Sequence, residues 1–179
     1  MAQLEILTRG NPRLHVKAKK LSRVDDTVRR LMDDMVETMG ENSGVGLAAT
    51  QVGVHQRVIV MKVDNHLYTL ANPEILRSEG EQTGSEGCLS VPGIIGEVTR
   101  AEKVTAKALN RQGKSVKIKA EGLLARCIQH EIDHLDGVLF LDRLTSLDTI
   151  REVAVGSEEE AAADADIEVG DTAPVLASA

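Results

Sequence analysis

The stretch from Leu123 to Leu135 narrows most what this chain can fold into. Its apolar residues recur at helical spacing, Gly137 follows as a terminator, and Gln129 to His134 read QHEIDH. Residues four apart lie on one helix face about a turn from each other, so His130 and His134 can both reach a single ion. Glu131, beside the first histidine, can reach a water on that ion without ligating it. A catalytic site of this kind generally needs a third protein ligand and an open position for water. The rest of the chain must supply that ligand.

Upstream, the texture from Arg57 to Ala108 is that of strands: VIVMKV, LYTLA, EVT and KVTAKAL, broken at Asn65, Asn72-Pro73, Gly80 and Pro92-Gly93. KALNRQGKSVKIKA reads as a hairpin with NRQG as its turn. Between Asp25 and Met39, Val28, Leu31, Met32, Met35, Val36 and Met39 mark an amphipathic helix, after a Ser22 to Asp25 capping-box pattern and before Gly40 as a stop. Its methionines read as core filling. These segments predict an α+β domain in which antiparallel strands pack around the late helix that carries HEIDH. With 179 residues the chain suits one domain. Tyr68 and Phe140 are its only aromatics, so the core is aliphatic and stacking on nucleic-acid bases is disfavoured.

From Arg151 onward there are eight acids and one base, which accounts for the whole net charge of -7. The pattern of apolar residues ends at about Leu147. The expected organisation is therefore a catalytic domain over 1–147 and an acidic, Ala-rich, disordered tail over 148–179, dispensable for chemistry. The first twenty residues hold no signal-peptide core, and no apolar run approaches the ~18 residues of a membrane span. A cytoplasmic protein without a membrane partner is expected, with Cys88 and Cys127 as thiols or ligands rather than a disulfide.

One familiar protease arrangement places a third histidine six residues after the second, but Phe140 stands there. His15, His55 and His66 have no partner at ligand spacing. Cys127 shares a helix face with His130, but it lies about 10 Å along the axis from His134 and leans away from the ion. It reads as a buried or pocket-lining thiol. Cys88, in GSEGCLSVPG, sits where glycines permit close approach. The fold could bring it to the helix, and spacing alone leaves open a plain core residue beside a turn.

Three stretches taken together, GVGLAATQ at Gly44 to Gln51, EGCLS at Glu86 to Ser90 and QHEIDH at Gln129 to His134, resemble the signature motifs of the bacterial peptide deformylases. The likeness runs from the ILTRGNPRL opening to about Leu147. It implies removal of the formyl group from N-formylmethionyl nascent polypeptides. It also implies Cys88, His130 and His134 as ligands of one divalent metal ion, usually Fe(II), with Zn(II), Ni(II) or Co(II) able to occupy such sites. Glu131 is then the acid-base residue, and the Gln51 amide and the Leu89 backbone N–H stabilise the oxyanion. Substrate would lie against Gly46, with its methionine among Val45, Leu47, Cys127 and Ile128. By analogy Asp133 pairs with Arg100 and fixes the helix to the sheet. Contact with the ribosome near its exit tunnel would use a surface other than the acidic tail, which phosphate repels. The alternative is a non-catalytic metal-binding or redox-sensing module in which Cys88 is oxidised; Gln51 and Glu131 would be unnecessary for that.

Overall fold

Asp25 opens the first helix, α1 (Asp26–Glu41), by accepting the Val28 N–H at 3.1 Å. The cap is thus Asp25 rather than Ser22, and Gly40 lies inside the last turn instead of ending the helix. Val28, Met32, Met35 and Met39 form its buried face, so the methionines are core residues. These features belong to a computed structural model that describes residues 3–163 and 176–178.

The strands are β1 (Gly46–Ala48), β2 (Val58–Val63), β3 (His66–Glu79), β4 (Gln82–Glu86), β5 (Ile94–Arg100), β6 (Lys103–Leu109), β7 (Ser115–Glu121), β8 (Arg151–Glu152) and β9 (Leu176–Ser178). They form an antiparallel sheet in the order β1-β2-β3-β6-β7-β9 and a smaller one in the order β4-β5-β8. The unbroken run VIVMKV is explained by layers on both sides of β2. Val58 and Val60 join the α1 side of the core, whereas Ile59, Met61 and Val63 join the side that holds the late helix. The sheet separates two apolar clusters.

Asn72-Pro73 was expected to break a strand, but β3 runs through it to Glu79 with register shifts on either side of Ile75. Asn72 takes a positive φ of 50°, and its side chain bonds the Leu21 N–H and C=O, each at 2.8 Å. The irregular ladder tolerates the missing N–H of Pro73. The β6–β7 hairpin forms as expected, with Asn110 N–H donating to Lys114 O at 2.9 Å.

The late helix, α2 (Gly122–Leu135), lies between the sheets. Leu124, Ala125, Ile128 and Leu135 pack on the larger one, while Arg126 and Asp133 bond to Val98 and Arg100 of β5. A Schellman motif closes the helix: Val138 N–H reaches Asp133 O at 2.9 Å and Gly137 N–H reaches His134 O at 3.1 Å. Gly137 has a φ of +79°, and a Cβ there would stand 2.6 Å from His15 O, so both conformation and space require glycine.

Within the segment expected to be a disordered tail over 148–179, the described residues hold further elements. Arg151 and Glu152 pair with Ile95 and Ile94, and a short helix α3 (Glu158–Ala163) follows. Ser157 supplies the local reason, since its hydroxyl accepts the Glu160 N–H at 3.2 Å as an N-cap. Residues 164–175 and 179 lie outside the described residues. Among the described residues no helix is long and apolar enough to cross a membrane.

Candidate metal centre

The loop Gly87 to Gly93 turns between β4 and β5 and brings Cys88 to the face of α2 that holds both histidines. Cys88 Sγ lies 3.2 Å from His134 Nε2, which lies 3.1 Å from His130 Nε2. All three donor atoms fall within 4.8 Å of one another, and all three residues are buried. Bonds of about 2.0 to 2.3 Å from one ion would span such separations. A thiolate and two imidazoles form a donor set suited to a first-row divalent metal, so the residues fit the ion. Among the described residues this is the one cluster of its kind. Cys127 is outside it, as the helix geometry predicts.

The ligands are held from behind. His130 Nδ1 pairs with Glu86 Oε2 at 2.9 Å, which leaves Nε2 for the cluster. Glu86, 1% exposed, also accepts from Arg100 Nε and Nη2 at 2.7 and 2.9 Å and from Arg126 Nη1 at 2.6 Å. Burial alone would raise the Glu86 carboxyl, but the hydrogen bonds from Arg100 and His130 outweigh it and hold it well below the usual carboxylate range. Burial likewise opposes a charge on His130, yet the Cys88 sulfur and Glu86 overcome it and push its pKa well up. For His134, burial and the neighbouring His130 both push the pKa well down.

Gln51 sits in the 3-10 turn Ala49–Val52. Its Oε1 accepts the Ala48 N–H at 2.8 Å, which sets the amide orientation. Nε2 then points to Ser90 Oγ at 3.1 Å and Cys88 Sγ at 3.5 Å. Glu131 is 3% exposed, and its carboxylate lies against Gly46 closer than a Cβ would permit. Asp133 does pair with Arg100, at 2.6 Å, as expected, and Arg143 adds two further bonds at 2.6 and 2.7 Å.

A cleft opens beside the cluster, lined by Val45, Gly46, Gln51, Glu86, Gly87, Cys88, Leu89, Leu123, Arg126, Cys127, His130 and Glu131. Two residues expected in a methionine pocket do not line it. Leu47 points to the opposite face of β1 and joins the α1 cluster, and Ile128 turns into the larger sheet; neither is exposed. Alternation along a strand and 100° per helical residue explain both. Leu123 and Arg126 stand in the cleft instead. Arg126 and the hub role of Glu86 are not among the residues expected from the motifs, although a charge amid LLARCIQ and an acid two residues before Cys88 are visible signals.

The sequence profile of the polypeptide deformylases matches residues 3–149. The chain belongs to that family. A peptide deformylase of Alkalilimnicola ehrlichii is 54% identical over 151 residues, which cover 82% of this chain and 85% of the relative. One from Thermomicrobium roseum is 47% identical over 172 residues, covering 91% and 98%. Among solved structures, the peptide deformylase of Ehrlichia chaffeensis in complex with actinonin matches with a TM-score of 0.80 at 41% identity, covering 83% of this chain and 92% of that one. The α+β fold and the family expected from the three motifs are thereby established. Strand β8 and helix α3 lie beyond the stretch that the deformylase profile matches.

Proposed function

We propose that this chain removes the formyl group from the N-terminal formylmethionine of newly made polypeptides and releases formate. The observation that carries the reading is the convergence of the Cys88, His130 and His134 donors with Gln51 and Glu131 on one cleft. A metal-storing or redox-sensing module would have no use for the last two.

Cys88, His130 and His134 would hold one divalent cation, iron(II) in this reading, with zinc, nickel or cobalt as substitutes. When bound, that ion supplies a Lewis acid that raises the acidity of water and polarises the formyl oxygen. Glu131 accepts the proton of the attacking water and delivers it to the departing amine as the C–N bond breaks. The Gln51 amide, its oxygen fixed by Ala48, presents its N–H donors to the negative charge that develops on the formyl oxygen, and the Leu89 backbone N–H supplies a second donor. The substrate backbone would run along Gly46, whose missing side chain lets the Glu131 carboxylate stand beside the reacting bond. The methionine side chain enters between Val45, Leu123 and Cys127, which together exclude water from the reacting bond.

Nascent chains would be met near the ribosome exit tunnel through a surface other than the acidic segment after Arg151. The test is formate release from a formyl-Met peptide by protein prepared without oxygen and loaded with Fe(II) or Ni(II), beside Glu131→Ala. Release by the wild type, abolished in a variant that keeps its metal, is expected. Metallated wild type that releases no formate would return the chain to the binding or sensing reading.

A further inference from the structure

The residues that follow the family match close on the loop that carries Cys88 and Leu89. At the far end of that loop the Gly93 N–H donates to Glu160 Oε1 at 2.6 Å, and Gly93 O accepts from Val153 N–H at 3.0 Å. The other oxygen of the same carboxylate accepts the Gly156 N–H at 2.5 Å. One side chain thus ties the returning chain to the loop. At the near end, a Cβ built on Gly87 would stand 3.6 Å from Glu160 O and 3.9 Å from the Ala163 side chain, ordinary contact distances. Strand β8 continues the attachment beyond Gly93 by pairing with Ile94 and Ile95.

The middle of the loop is anchored from the opposite side, where Arg9 N–H donates to Ser90 O at 2.7 Å and Gln51 holds Ser90 Oγ. Gly93 has a φ of +73° and follows a proline, so without its partners this end of the loop would sample many backbone conformations. A charged acceptor on its N–H makes a bond roughly twice as strong as a neutral one. We propose that Glu160 is a positioning residue of the metal centre: through Gly93 it fixes the loop so that Cys88 Sγ stays within reach of His130 and His134. The segment from Arg151 to Ala163 therefore serves the site instead of trailing from it. The inference rests on the reading of Cys88 as a ligand.

The experiment uses the full chain, loaded with Co(II) without oxygen, as wild type, Glu160→Gln and Glu160→Ala. Metal affinity is read by chelator competition, the cysteine bond by the thiolate-to-cobalt absorption band, and the loop by hydrogen exchange at the Gly93 amide. Glu160→Ala should weaken metal binding about tenfold or more, perturb the band and speed exchange at Gly93. Glu160→Gln keeps one acceptor oxygen of two and should fall between. Unchanged affinity and band in both variants would overturn the proposal. So would a Gly93 amide that exchanges without protection in the wild type, a measurement that needs no variant to fold. Because these readouts use no formyl substrate, they succeed or fail separately from the deformylase reaction.

Discussion

Gly46 has no side chain because the Glu131 carboxylate occupies the space where one would stand. Gly46→Ala should push that carboxylate out of line and lower kcat about 100-fold, since misplacing a reacting group by about 1 Å costs that much. Metal content should stay unchanged; formate kinetics with metal analysis checks both, and a fully active Gly46→Ala would show that Glu131 tolerates displacement. On the proposed mechanism Gln51→Ala would remove a donor to the oxyanion and should cost roughly 100- to 1,000-fold in kcat with little change in KM. Asp133 joins Arg100, which also holds Glu86, to the half-exposed Arg143, so Asp133→Ala removes charge-assisted hydrogen bonds and should cost about 1.5–3 kcal/mol of stability, read by urea unfolding. The Arg100 pairing was legible by analogy from the sequence. The part played by Arg143 was not, because only the turn after α2 brings a residue ten positions away back onto the helix.

Elements with one dominant period were the most legible. The apolar spacing of α1 and α2 located both helices, and alternation located the β6–β7 hairpin. Boundaries depended on tertiary partners that no local pattern encodes: β3 survives Asn72-Pro73 because Leu21, 51 positions away, satisfies the asparagine. Pocket membership was harder still. Leu47 and Ile128 are apolar neighbours of true lining residues, and one step along a strand or helix turned them into the core. The core itself gives a direct test. Met32 is fully buried on α1 against the sheet, and Met32→Ala should destabilise by about 2–5 kcal/mol in urea or thermal unfolding. A loss under 1 kcal/mol would mean that the α1 cluster repacks around the gap.

For the whole molecule, α2 is the seam between two sheets, and the ligand set crosses it. Removal of the ion should therefore loosen the attachment of the smaller sheet as well as stop turnover. Anything that binds only the folded state stabilises it by RT ln(1 + [L]/Kd), about 4 kcal/mol at a thousandfold excess over Kd. Thermal unfolding with and without a chelator should show a clear fall in Tm, and identical curves would separate the metal centre from the stability of the fold. The charge balance was legible at this scale, since the acids after Arg151 could be counted. The seat of Glu160 against the Cys88 loop was not, because composition says nothing of where a returning chain docks.

Cys88 and His134 are 46 positions apart, the one on the loop of the smaller sheet and the other on the seam helix itself. A chain still being synthesised cannot gather its three donors until α2 is complete and the smaller sheet has closed over it. Capture of an ion by all three donors would thus be a late event in the life of each molecule, following closure of the smaller sheet on α2. In a purified sample, bound metal per chain sets a lower bound on correctly closed copies, a quantity that solubility or helix content would overstate.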